Sequence, residues 1–180
     1  SLWMVCVSND KSKKNLHADI VLMGIFLAKE PILIDLVYAN KHHPENIFKK
    51  SLYHPEAGLS LHRDMARIVI MTARILQKQK GWRLVLKDGL RTIEAQQSML
   101  DTDIVKSNSH WLMEPRMLSG PGQGGHPRGM AVDVSVVDDT GMPVDMGTTF
   151  DTMTAESARN YNGLKPEILE NRKVLECSFL

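Results

Sequence analysis

Gly124-Gly125-His126-Pro127-Arg128-Gly129-Met130-Ala131-Val132-Asp133-Val134-Ser135-Val136 passes from a glycine-rich loop into a β-branched run. The run Met130 to Val137 reads as a strand, and Asp133 lies in the middle of it. A carboxylate buried among valines without a partner is costly, so something positive must meet it. Arg128 is one candidate. A divalent metal is the other, because His126 stands just before the strand and imidazole and carboxylate are ordinary zinc ligands. Gly129 lets the chain bend so that both side chains can face one point.

Further strands and helices can be read on either side. Downstream, Asp138 to Gly141 reads as a hairpin turn and Met142 to Met146 as its returning strand. Residues 154 to 164 read as loop or short helix, and Pro166 opens a final helix running to Cys177. Upstream, Trp82 to Lys87 is a strand, Asp88-Gly89 breaks it, and Thr92 caps a helix to about Leu100. Leu59 to Lys80 carries apolar residues at three- and four-residue spacing and is an amphipathic helix, with Ser60 as cap and Gly81 as stop. Residues 31 to 39 read as a strand and 40 to 58 as loop. Residues 101 to 125 form a long polar connection rich in glycine, of a length that is usually functional. These elements predict an α+β fold, helices packed on a small, mostly antiparallel sheet.

The composition narrows the function. Apolar residues at 43% and charged residues at 24% are the mix of a globular protein with a real core. A net charge of +1 offers no field for nucleic acid or an acidic membrane. The longest apolar run, Ile20 to Ala28, is well short of the roughly 20 residues of a membrane helix and is expected to be a buried strand or helix. Cys6 and Cys177 are expected to be unpaired thiols and leave the compartment open, with cytoplasm as the default and periplasm as the alternative. Residues 1 to 15 are expected to be a poorly ordered arm, and 16 to 180 a single domain.

His126-x-x-Gly129-x-Ala131-x-Asp133 resembles the zinc-binding motif of the D-alanyl-D-alanine dipeptidases and their carboxypeptidase relatives. Asp88-Gly89-Leu90-Arg91 is similar to the dipeptidase branch's Asp-Gly-Tyr-Arg. Met146-Gly147-Thr148-Thr149-Phe150-Asp151 is similar to its Met-Gly-x-x-Phe-Asp element. Tyr38-Ala39 and Asn171-Arg172 resemble its early Tyr-Ala segment and the opening of its last helix. The stretches follow the family's order across most of the chain.

The resemblance implies a zinc D-Ala-D-Ala peptidase-like fold of the hedgehog/DD-peptidase type and one Zn2+ per chain. His126 and Asp133 would be two of three protein ligands, and the ion would acidify water and polarise the scissile carbonyl. Arg91 would steady the oxyanion, where a surface salt bridge is its plainer reading. Asp151 would hold the ammonium of a D-alanyl-D-alanine or other short D-amino-acid peptide, aided by the backbone carbonyl of Tyr38. By itself Asp151 reads as a helix cap before Thr152-Met153-Thr154. Gly124 stands where the family often has the serine that binds the substrate carboxylate, and loop amides would have to replace it.

The family's late Glu-x-x-His, its general base and third ligand, does not occur in this sequence. The domain is therefore expected to stop before that segment, through truncation, as a natural fragment, or with a partner chain supplying the groups. His17, His42, His43, His54, His62 and His110 are expected in loops or at the surface. Alternative readings are a D,D-carboxypeptidase or endopeptidase on peptidoglycan stems, and an inactive metal- or peptide-binding module. No residue speaks for the oligomeric state.

Overall fold

The computed structural model describes residues 3–6, 19–114 and 116–179. Its centre is a four-stranded sheet of β1 (Trp3–Cys6), β3 (Ile32–Ile34), β5 (Arg83–Asp88) and β6 (Ala131–Val137), in the order β1-β6-β5-β3. The β1–β6 and β6–β5 pairs are antiparallel and β5–β3 is parallel. A separate antiparallel pair joins β2 (Ile20–Leu22) to β4 (Ser60–His62). The architecture is α+β, as the pattern of elements predicts.

One face of the sheet is covered by α1 (Arg63–Lys80), which buries Met65, Val69, Ala73 and Leu76 against Leu84, Leu86, Val132, Val134 and Val136. These helix positions recur every three or four residues, which is why the stripe was legible in the sequence. Gly81 ends α1 in the left-handed conformation, φ 70°. The start differs from expectation. Ser60 lies in β4, and His62 caps the helix by accepting the Asp64 N–H at 3.2 Å.

A second apolar cluster of Tyr38, Phe48, Met99, Val105, Trp111 and Phe150 is contributed by the loops and by α2 (Ile93–Leu100) and α3 (Asp103–Ser107). Thr92 caps α2 by accepting the Ala95 N–H. The connection after α2 is thus not structureless: it holds α3 and a 3-10 turn at Ser109–Leu112, because Val105, Trp111 and Leu118 supply apolar surface to bury. α4 (Pro166–Ser178) returns along α1 with Pro166 in its first turn.

Other expectations are corrected. The strand expected over 31 to 39 is only Ile32–Ile34, and Val37–Ala39 turns as a 3-10 helix. The returning strand expected after the Asp138–Gly141 turn is reduced to an isolated bridge between Val137 and Pro143. In the run from Ile20 to Ala28 only Met23 is buried, and Leu22, Ile25 and Leu27 are exposed. Of the arm expected over residues 1 to 15, residues 3–6 pair with β6 as β1, and 1–2 and 7–15 lie outside the described residues. No helix of the described residues is long and apolar enough to cross a membrane.

Candidate metal and peptide site

The end of β5 meets the start of β6, and a register shift there decides which side chains face each other. Leu86 pairs with Val134, but Asp88 pairs with Asp133, so β5 carries one extra residue at Lys87. In unbroken register Asp88 would stand opposite Val132, among the apolar side chains under α1. The bulge brings the Asp88 and Asp133 carboxylates together instead, each almost fully buried.

His126 joins them from the 3-10 turn His126–Arg128 that precedes β6. Gly129 closes that turn at φ 65°, where a Cβ would come within 2.6 Å of the His62 backbone nitrogen. The His126 ring is oriented by its Nδ1, 2.7 Å from the Gly89 carbonyl oxygen. A carbonyl only accepts, so Nδ1 carries the proton and the Nε2 lone pair points into the site when the ring is neutral. The His126 carbonyl in turn accepts the Arg91 N–H at 3.1 Å, which ties the two motifs together by their backbones.

Arg91, not Arg128, is the cation that meets Asp133. Its Nη2 is 3.5 Å from Asp133 Oδ2. Its main partner is Asp88, whose Oδ2 accepts from Nε at 2.9 Å and from Nη2 at 2.5 Å. Nη1 donates to Gln96 Oε1 at 2.8 Å, and the guanidinium lies 5.3 Å from the Tyr38 ring centre. Arg91 is buried, so the plain surface salt bridge is excluded. Burial opposes its charge, but Asp88, Tyr53, Tyr38 and Asp133 outweigh that and hold its pKa well above the usual value.

One oxygen remains unsatisfied. Among the described residues, Asp133 Oδ1 is buried with no hydrogen-bond partner, and it lies 3.5 Å from His126 Nε2. Burial depresses the His126 pKa, yet Asp133 pulls it above its ordinary value, as expected for an imidazole facing a lone carboxylate. Asp88, His126 and Asp133 can each turn one ligand atom to a common point, those atoms lying within 4.8 Å of one another. Of the three, Asp88 is fully engaged by Arg91 and by the Tyr53 hydroxyl, which donates to its Oδ1 at 2.6 Å. The Asp133 and His126 atoms therefore fit a divalent ion better than they fit each other.

These groups open onto a cavity of about 840 Å3 whose wall also includes Tyr38, Gly124 and Asp151. Asp151 is buried at φ 54°, an uncommon conformation for a residue with a side chain. No helix starts there; the 3-10 turn Ala155–Ser157 takes Thr154 as its cap residue, so the helix-cap reading of Asp151 is corrected. Its Oδ2 accepts from the Tyr38 hydroxyl. Burial raises its pKa to about 7, against the lowering effect of that hydrogen bond. Tyr38 turns its hydroxyl into the site, while its carbonyl accepts the Leu52 N–H at 2.8 Å. Gly124 has φ 78°, which a serine would adopt only under strain.

The remaining histidines lie elsewhere. His43 pairs with Asp35 at 2.9 Å, His62 caps α1, His42, His54 and His110 are exposed, and His17 lies outside the described residues. Cys177 is free and exposed. Sequence reasoning assigned no role to Asp88, Tyr53 or Gln96. Asp88 had a signal, an acid closing an apolar strand, and Tyr53 had none.

The sequence model of the D-ala-D-ala dipeptidase family, peptidase M15, matches residues 28–178. A protein named D-alanyl-D-alanine dipeptidase from Synechocystis sp. is 27% identical over 175 residues, covering 81% of this chain and 68% of that protein. Another of the same name from Escherichia coli is 29% identical over 144 residues, covering 80% of this chain and 68% of its own length.

Proposed function

Because the chain belongs to the D-ala-D-ala dipeptidase family of metallopeptidases, we propose that its site hydrolyses the D-alanyl-D-alanine dipeptide with zinc. One observation carries the metal reading: the orphaned Asp133 Oδ1 beside the oriented Nε2 of His126. These two atoms would hold the ion, with residues 16 to 180 as one zinc-peptidase-like unit of hedgehog/DD-peptidase type. Zinc, when bound, activates water and polarises the scissile carbonyl.

The rest of the chemistry belongs to side chains. Arg91 is a permanent, dehydrated cation fixed by Asp88 and Gln96, so it can meet developing negative charge with little rearrangement. Among the described residues no cation pairs directly with Asp151, and burial holds its pKa up. A substrate ammonium would supply the missing charge and draw the carboxyl into its ionised form. Such a clamp selects free dipeptides over longer stems. The amides of the Gly124–Gly125 loop would meet the substrate carboxylate. Among the described residues, neither acidic side chain of the cavity wall is left over as a general base.

The test compares zinc-loaded protein on D-Ala-D-Ala and on its N-acetylated form. Cleavage of the free dipeptide alone supports the reading, and equal cleavage of both rejects the ammonium clamp. His126→Ala should lose stoichiometric zinc; wild-type zinc content in that variant would place the metal elsewhere. Stoichiometric zinc without any dipeptide cleavage would instead describe a metal- or peptide-binding module.

A further inference from the structure

We propose that Tyr53, on the loop between β3 and β4, is a positioning residue that fixes Arg91 through Asp88; the inference rests on the reading of Arg91 given above. Among the described residues, Asp88 Oδ1 has a single hydrogen-bond partner, the Tyr53 hydroxyl at 2.6 Å, while Oδ2 serves Arg91. The carboxylate has two oxygens on a plane, so a donor that fixes one oxygen fixes the direction of the other. Without that donor a wholly buried oxygen is left unpaired, and the carboxylate is drawn to rotate or to seek another partner. Arg91 would follow, because Nε and Nη2 both bind Oδ2.

Tyr53 is itself held. The loop that carries it is clamped near its start by Lys87, whose Nζ reaches Asp35 Oδ2 at 2.7 Å and Glu45 Oε2 at 2.6 Å. Asn46 secures the interior of that loop, donating to Asn40 and Lys50 carbonyls at 3.0 and 2.9 Å. Lys87 and Asp88 are consecutive and both lie at the bulge that closes β5. Thus one end of β5 grips the loop at Glu45 and receives its hydroxyl at Tyr53. A loop held at two points by adjacent residues is a rigid mount for the phenol.

Tyr53→Phe removes the hydroxyl and keeps the ring. The expected result in the full chain is faster solvent exchange of the Arg91 Nε–H, by about tenfold or more, with the bulk of the backbone amides unchanged. The readout needs no activity, so it stands even if dipeptide cleavage fails in the wild type, and unchanged exchange overturns the proposal. On D-Ala-D-Ala, kcat per zinc-loaded molecule should fall by about tenfold, with KM and zinc content little altered. In an Arg91→Ala background the same substitution should add almost nothing to the loss of kcat. An additive loss would show that Tyr53 does not act through Arg91, and a fall in thermal stability alone would show a merely structural hydroxyl.

Discussion

Asp133 and Asp151 are both buried carboxylates, yet their surroundings give them different tasks. Asp133 has Arg91 on one oxygen and an unpaired oxygen beside His126. Asp151 accepts from a phenol and, among the described residues, forms no ion pair, so burial dominates and its pKa rises to about 7. This makes a measurable pH signature in the metal-free protein. Between the unfolded value near 3.9 and the native value, the folded state binds more protons than the unfolded state. Asp151 therefore lowers stability as pH rises from about 4 to about 7. His126, with its raised pKa, acts in the same direction, so only a comparison isolates the acid. Asp151→Asn should lose less stability than the wild type between pH 5 and pH 7.5 in urea titrations. Parallel curves would mean that Asp151 does not titrate in that window.

At the scale of elements, the site depends on how β5 and β6 are joined to their neighbours. The His126–Arg128 turn reaches β6 only because Gly129 takes φ 65° beside the backbone of β4, and its carbonyl accepts the His62 N–H at 2.9 Å. A methyl at that position collides with main chain, which cannot swing aside as a side chain would. Gly129→Ala should cost about 1–3 kcal/mol, combining the positive φ with overpacking. For a chain of this size that is about 2–4 °C in Tm per kcal/mol. Thermal unfolding checks it, and an unchanged Tm would show that β4 and β6 can part without penalty. The bulge at Lys87 is the other element-level device, since it alone puts Asp88 on the face of Asp133.

Across the whole molecule, the wall bearing Asp151 is held from the far end of the chain. Arg172 on α4 donates to the carbonyls of Met146, Ala158 and Glu156 at 2.8, 3.1 and 2.8 Å, and Asn171 donates to that of Asp145 at 3.0 Å. These bonds cross the segment that contains Phe150 and Asp151. Arg172→Met leaves three carbonyls without their cationic donor and should destabilise the fold by about 2–3 kcal/mol. If Asp151 clamps the substrate ammonium as proposed, the substitution should also raise KM for the free dipeptide, because that carboxylate is no longer held at a set distance from Arg91. Denaturant unfolding and steady-state kinetics measure the two effects. Loss of stability with KM unchanged would make α4 a support for the core alone.

By itself the sequence determined the α1 stripe, the strands around Val85 and Val134, the capping of α2 by Thr92, and the suspicion that Asp133 needs a positive partner beside His126. Each of these is local: periodicity, a cap, or a charge embedded in an apolar run is written in neighbouring residues. Only the tertiary structure decided that Asp88 faces Asp133, that Arg91 rather than Arg128 supplies the cation, that Tyr38 offers its hydroxyl, and that residues 101 to 125 fold around Val105 and Trp111. Those outcomes hang on a one-residue bulge and on contacts between segments up to 113 residues apart. Which buried donor meets which acceptor is settled when distant segments exclude water together, and no spacing along the chain encodes that choice.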